Sequence, residues 1–207
     1  MKEIIIKNGE KLPLVEHFHT LQGEGYHTGR AAYFLRIGGC DVGCSWCDSR
    51  YTWNPDIHPL VDVKAIVQHV LDSRADSVVI TGGEPLMWDM EPLCNLLRKN
   101  QIKTFLETSG AYPLSGEWDW ICLSPKINAP PVGDITIKAD ELKVIIQESK
   151  DLLWAEEMSS KVNNSCELFL QAEWSRFDSI IGTIVEYILN NNKWRISLQS
   201  HKYMKIP

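Results

Sequence analysis

The sequence predicts an α/β fold on a mostly parallel sheet, an abbreviated, partial TIM-like barrel. Three observations lead there. Short β-rich runs alternate with amphipathic helical patterns along the 207 residues, and strands separated by helices join as right-handed βαβ units. Polar clusters directly follow apolar runs: TGGEP after SVVI, ETSG after KTFL, SPK after ICL and QAEW after LFL. Each cluster falls at the C-terminal end of a predicted strand, the edge where parallel α/β folds build their sites. Helical signal is missing or degenerate across residues 108–118 and 125–140, which argues against a full eight-fold barrel.

In chain order, strands are expected at residues 32–37, 77–81, 103–107, 120–124, 142–146, 167–171 and 195–198. Helices are expected at 62–73, 89–100, 150–160 and 177–190. Ile66, Val67, Val70 and Leu71 recur at helical spacing, and Asp62 and Asp89 stand where N-caps belong. No repeat, low-complexity tract or long linker interrupts the pattern, so a single domain over residues 1–207 is expected.

Composition narrows the function classes. Hydrophobic residues make up 44% and charged residues 23%, an ordinary globular balance. Against 21 basic residues stand 27 acidic ones, a net charge of −6. That balance argues against a broad nucleic-acid or anionic-membrane surface. No apolar run approaches the roughly 20 residues of a membrane span. The opening MKEIIIKNG has too short an apolar segment for a secretory signal. The expectation is a cytoplasmic protein with reduced thiols.

Six cysteines are too few for a secreted disulfide scaffold. Cys40, Cys44 and Cys47 stand apart from the rest as a C-x3-C-x2-C run directly after AAYFLRI. Three thiolates on one loop can ligate three irons of a [4Fe–4S] cubane and leave the fourth iron for a reacting ligand. Clusters that only carry electrons mostly use four cysteines. Structural zinc needs a fourth Cys or His at matched spacing, and His58, His69 and Cys94 form no such pair with the loop. Cys94, Cys122 and Cys166 lie among apolar residues and read as core thiols.

This loop, with Trp46 before its last cysteine, resembles the signature of radical S-adenosylmethionine enzymes. Thr81-Gly82-Gly83-Glu84-Pro85 resembles the superfamily's GGE motif one βα unit later. The flanks are more specific. Residues 16–25, EHFHTLQGEG, resemble the EIFxSLQGEG opening of the 7-carboxy-7-deazaguanine synthase family. FLRIGGC, CDS, SPK and the ending HKYMKIP match further stretches of it, so the likeness runs from about residue 16 to residue 207.

The resemblance implies conversion of 6-carboxy-5,6,7,8-tetrahydropterin to 7-carboxy-7-deazaguanine with loss of ammonia, in queuosine-type base biosynthesis. It implies a [4Fe–4S] cluster on Cys40, Cys44 and Cys47, S-adenosylmethionine on the open iron, and Mg²⁺ on Ser49, which stands where Thr is usual. By the same likeness the cofactor is held by Trp46, Gly83, Glu84, Ser124, Pro125, Lys126 and Gln171. Leu21, Gln22, Gly23, Glu24, Arg36, Thr81, His201 and the carboxylate of Pro207 are implied to face substrate. Arg36 suits a carboxylate because guanidinium binds it bidentately. Gln171-Ala172-Glu173-Trp174 departs from the usual Gln-Pro-Met-Asp. A flavodoxin-like or ferredoxin-like electron donor and a homodimer are further implications. A glycyl-radical activating enzyme fits less well, since only three scattered further cysteines accompany a compact chain. A non-enzymatic electron carrier would want four thiolates.

Overall fold

A computed structural model describes residues 8–207. Its centre is a nine-stranded open sheet in the order β3-β1-β2-β4-β5-β6-β7-β8-β9. The strands are β1 (Lys11–Leu21), β2 (Ala31–Ile37), β3 (Leu60–Asp62), β4 (Ser77–Gly82), β5 (Lys103–Thr108), β6 (Trp120–Leu123), β7 (Glu141–Ile146), β8 (Glu167–Ala172) and β9 (Trp194–Ser197). β1 runs antiparallel to β2 and β3. Every pairing from β2 to β9 is parallel. The helices are α1 (Val63–Ser73), α2 (Glu91–Lys99), α3 (Ile135–Lys138), α4 (Asp151–Ser159), α5 (Phe177–Asn190) and α6 (Ser200–Met204).

All seven expected strands and four expected helices are present, with ends shifted by a residue or two. β1 and β3 were not foreseen. β1 carries Glu16, His17 and His19 among its apolar residues, which weakens its alternation, and β3 has only three residues. Asp62 caps α1 as expected, accepting from the Lys64 amide. Asp89 falls one residue short of the cap position of α2, which Met90 occupies, yet its carboxylate still accepts from the Glu91 amide at 3.0 Å. α3 is a four-residue helix inside the stretch of weak signal, and α6 is too short to show a periodicity.

Strand alternation gives the sheet two different faces. Leu35, Ile37, Val78, Ile80, Leu106, Leu123, Leu142 and Val144 pack with Ile66, Val70, Leu93 and Leu97 of the helices into the main core. Each such burial is worth about 1.5–3 kcal/mol. Their neighbours belong to the concave face. Ala32, Val79 and Phe105, with Phe34 and Trp120, form a separate small apolar cluster there. Two residues further along the same strands come Arg36, Thr81, Glu107 and Cys122. The alternation that builds the core thus also sets a polar layer above an apolar floor.

The barrel is not closed by a strand ladder. Instead the loop after β1 meets the chain after β9. The Gly25 amide donates to Ser197 Oγ at 2.9 Å, and the Ser200 amide and hydroxyl both donate to the Gly23 carbonyl at 2.9 Å. Cys94, Cys122 and Cys166 are all buried; Cys94 and Cys166 join the main core as expected, whereas Cys122 lies in the polar layer beside Glu107.

Candidate active site

One cavity of about 460 Å³ opens at the C-terminal edge of the parallel strands. Cys40, Cys44 and Cys47 all line it. Their loop is held from several sides. The Gly39 amide donates to the Thr52 carbonyl, the Cys40 amide to Trp53 and the Cys47 amide to Cys44. Tyr112 donates to Asp41 at 2.6 Å, and the Trp88 indole donates to the Gly38 carbonyl at 2.8 Å. The loop is therefore fixed by main-chain bonds and by Asp41 among its side chains, leaving the thiols to face the cavity.

The Gly-Gly-Glu turn packs directly against this loop. Gly83 and Glu84 donate their amides to the Ile37 and Gly39 carbonyls, both at 2.8 Å. A Cβ on Gly83 would strike the Gly39 carbonyl and Cys40, so only glycine allows that approach. Glu84 differs from expectation. Its carboxylate is buried and already accepts from the Leu86 amide at 3.1 Å, Thr108 Oγ1 at 2.5 Å, and the Ser109 amide and hydroxyl at 2.8 and 2.5 Å. Its acceptor capacity is spent on joining the turn to the end of β5, which is a scaffolding task.

Arg36 and Thr81 sit side by side in the β2–β4 register, and both line the cavity. Arg36 Nε donates to Glu16 at 2.6 Å, and Tyr51 donates to the same carboxylate at 3.1 Å. That bond does not use the two terminal nitrogens of the guanidinium. Ser49 Oγ lies 3.6 Å from Cys47 Sγ.

Lys126 donates to the Ser124 carbonyl and hydroxyl at 2.5 and 2.7 Å, and its ammonium lies 5.4 Å from the Trp46 ring centroid. Burial lowers its pKa. Pro125 is the one expected residue that does not line the main cavity. It lines a second cavity of about 340 Å³ that shares Cys44, Trp46 and Lys126 with the first.

Leu21, Gln22, Gly23, Glu24, Gln171, His201 and Pro207 complete the wall opposite. Gln171 Oε1 accepts from Ser197 at 2.6 Å. A Cβ on Gly23 would overlap the His201 imidazole, so that ring packs against bare backbone. Burial lowers the His201 pKa.

At the centre stands Lys143, which sequence reading missed, as it missed Glu107. Its ammonium donates to Glu24 at 2.8 Å and to Glu107 at 2.9 Å, and its side chain is 5% exposed. Gln22 donates to Glu107 at 3.1 Å, and Gln199 to Glu24 at 2.9 Å. Burial alone would raise the Glu24 pKa, but the Lys143 charge and hydrogen bonds from Lys143 and Gln199 hold it at about 2. The only prior signal for Lys143 was a charged residue inside an apolar strand, LKVII.

The divergent residues after β8 also have definite places. Glu173 is buried and caps its own turn through the Ser175 amide and hydroxyl. Trp174 meets Tyr203 of α6 edge-on at 5.5 Å, and Lys202 lies 4.7 Å over the Trp174 ring. Lys202 also pairs with Asp48 on the cysteine loop at 3.2 Å. Trp174, Lys202 and Asp48 thus form a clasp across the cavity mouth. His69 is exposed, while His58 is half-buried and bonds the Tyr51 carbonyl at 2.9 Å.

Residues 35–123 match the Radical SAM superfamily. Over 99% of its length the chain is 53% identical to the 7-carboxy-7-deazaguanine synthase of Flavobacterium psychrophilum, spanning 97% of that relative. The chain belongs to the 7-carboxy-7-deazaguanine synthase family. The family's member from Synechocystis is 48% identical, over 94% of this chain and 93% of its own length. The crystal structure of QueE from Escherichia coli superposes with a TM-score of 0.85 at 29% identity, covering 97% of this chain and 99% of that one.

Membership in this radical S-adenosylmethionine family implies a [4Fe–4S] cluster and S-adenosylmethionine as cofactors. The residues fit them. Three thiols on a pinned loop face one cavity, and Gly83 lets the neighbouring turn approach Cys40 without a side chain. Among the described residues no three His, Cys, Asp or Glu converge on a single metal position. A cubane, with its irons on separate corners, does not ask for that. Burial raises the Cys40 thiol to about 11 and raises Cys44 also; iron ligation draws the thiolate form instead.

Proposed function

We propose that this chain converts 6-carboxy-5,6,7,8-tetrahydropterin to 7-carboxy-7-deazaguanine with release of ammonia, in 7-deazapurine biosynthesis. The observation that carries the reading is a single cavity shared by three cysteines and by residues suited to a pterin carboxylic acid. The cofactor pair supplies a carbon-centred radical by one-electron reductive cleavage when bound. The remaining tasks fall to side chains. Cys40, Cys44 and Cys47 hold the cluster, and Gly83, Ser124, Lys126 and Trp46 flank the cofactor. The terminal nitrogens of Arg36 take the substrate carboxylate bidentately. Glu24, Glu107 and the Gln22 amide read the ring edge from the opposite wall, and Thr81 and His201 fill the sides. The apolar floor of Phe34, Val79 and Phe105 keeps water out from below.

Mg²⁺ belongs to this reading through Ser49, whose hydroxyl keeps the oxygen that a threonine would supply. So do a cytoplasmic setting, a flavodoxin-like or ferredoxin-like electron donor and a homodimer, each supported by the family likeness. Among the described residues no helix is long and apolar enough to cross a membrane.

The test is anaerobic reconstitution with iron and sulfide, then incubation with the carboxytetrahydropterin, S-adenosylmethionine, Mg²⁺ and a reductant. Mass spectrometry should find the deazaguanine acid, with ammonia in equal amount. Full cluster incorporation without that product would overturn the assignment. Omitting Mg²⁺, or replacing Ser49 by Ala, should lower the rate; identical rates would remove the metal from the account.

A further inference from the structure

Lys143 has an unusual position for a lysine. It lies on β7 two residues after the buried Glu141, and its ammonium is shut inside the barrel in hydrogen-bond contact with two further carboxylates. Fully buried lysines are rare unless paired. The pairs here form a continuous chain. Gln22, Glu107, Lys143, Glu24 and Gln199 connect in that order, through bonds of 3.1, 2.9, 2.8 and 2.9 Å. The chain crosses from the end of β1 to the end of β9, across the gap where the sheet fails to close. Gln22 is fixed at both ends, because its Oε1 also accepts from the Glu24 amide at 3.2 Å.

The charge count matters more than the geometry alone. Glu24 and Glu107 share one desolvated cavity wall, and like charges so placed drive one carboxylate to take a proton. A protonated carboxyl is a donor, so the wall would then offer one donor and one acceptor. A fixed cation between them removes that drive. Burial by itself would lower the Lys143 pKa, yet the Cys122 sulfur and the carboxylates of Glu107, Glu24 and Glu141 raise it well above the ordinary value. Each carboxylate oxygen has two acceptor positions. The Lys143, Gln22 and Gln199 bonds use one per oxygen, with Gln171 beside Glu24 and Cys122 beside Glu107, and the two carboxylate side chains stay 17% and 20% exposed toward the cavity.

We propose that Lys143 is the specificity-positioning residue of this site, holding Glu24 and Glu107 together as paired acceptors for the donor edge of a 2-amino-4-oxo heterocycle. The proposal rests on the pterin reading above. Lys143 reaches the ligand only through the two carboxylates, so it acts on which ring is bound. An analogue whose 2-amino group is replaced by oxygen presents an acceptor to the same wall and is rejected.

The test compares two stable ligands on cluster-reconstituted protein with S-adenosylmethionine: 6-carboxypterin and 6-carboxylumazine, which carries oxygen in place of the 2-amino group. Equilibrium binding is read by calorimetry for wild type, Lys143→Met and Lys143→Arg. Wild type should prefer the pterin by about thirtyfold or more, the size expected for one mismatched buried polar pair. Lys143→Met should bring the two affinities within about threefold of each other, chiefly by weakening the pterin. Lys143→Arg keeps the charge and should restore a preference above about tenfold.

If Lys143→Met does not fold, the uncharged triple variant Lys143→Met, Glu24→Gln, Glu107→Gln replaces it, with the same loss of preference expected. A variant that keeps the wild-type preference, or weakens both ligands by one common factor, overturns the proposal and leaves the pterin reading intact. Wild type that binds neither ligand, or does not distinguish them, overturns the pterin reading and the proposal together.

Discussion

The near wall of the cavity is one contiguous stretch, from Arg36 to Trp53, backed by the Gly-Gly-Glu turn. The far wall draws two to four residues each from β5, β7, β8, the loop after β1 and the segment after β9. The near wall is held by backbone hydrogen bonds and close glycine packing, and its functional groups are three thiols on one loop. The far wall is held by side chains, with a buried cation at its centre. A loop fixed by its backbone can carry reactive groups that give up their own hydrogen bonds. A wall fixed by side chains can read a ligand only while every member keeps its partner.

The largest effect should come from the near wall. Replacing Cys40, Cys44 or Cys47 by Ala removes a ligand that no neighbour can supply. Each variant should lose the visible iron–sulfur absorbance and all turnover after reconstitution. A full cluster in any of them would break the assignment of the loop.

Next is the joint between the walls. Glu84 accepts four hydrogen bonds in a buried site. Glu84→Ala leaves several donors unpaired and should cost roughly 3 kcal/mol, since each buried orphan costs about 1–3 kcal/mol and relaxation recovers part. Denaturant unfolding of the apoprotein measures this directly. A loss below about 1 kcal/mol would mean that Glu84 is free to serve the cofactor instead.

Acid should act on the far wall through Glu24. Glu24 is held at about 2 when folded, against an ordinary 4.5. A depressed carboxylate contributes fully above about pH 4.5, and its contribution is lost as pH falls through 2. Over that window the unfolding free energy of wild type should fall with a slope approaching 1.4 kcal/mol per pH unit for this one proton. Glu24→Gln should show a flatter profile; parallel profiles would place the wild-type slope elsewhere.

The clasp over the mouth is the smallest test. Trp174→Ala removes an edge-to-face contact and a cation–π contact, together about 1–2 kcal/mol at an exposed site. Steady-state kinetics should show KM for substrate raised several-fold, with kcat within about twofold. A fall in kcat at constant KM would show that this segment acts beyond holding α6 in place.

The same division explains what could be read without coordinates. The near wall was legible because its residues are neighbours in sequence, so spacing alone exposed C-x3-C-x2-C and TGGEP. The parallel strands were legible because apolar runs ending in polar clusters mark both the strand and its site edge. Glu107 was legible only as the first residue of the ETSG cluster, and Lys143 not at all, because their contact spans 36 positions. Glu84 was placed at the site, but its four bonds depend on Thr108 and Ser109 arriving from β5. β1 was missed because Glu16 on its cavity side and His17 and His19 on the other leave neither face reading as apolar.

The division of labour between the walls is tested most directly by one measurement. It is the electron paramagnetic resonance spectrum of the reduced cluster, before and after adding S-adenosylmethionine, in wild type and in Lys143→Met. If cofactor loading does not depend on Lys143, the spectrum should change in the same way in both proteins, while only wild type keeps its pterin preference. A cofactor response lost in Lys143→Met would contradict that division.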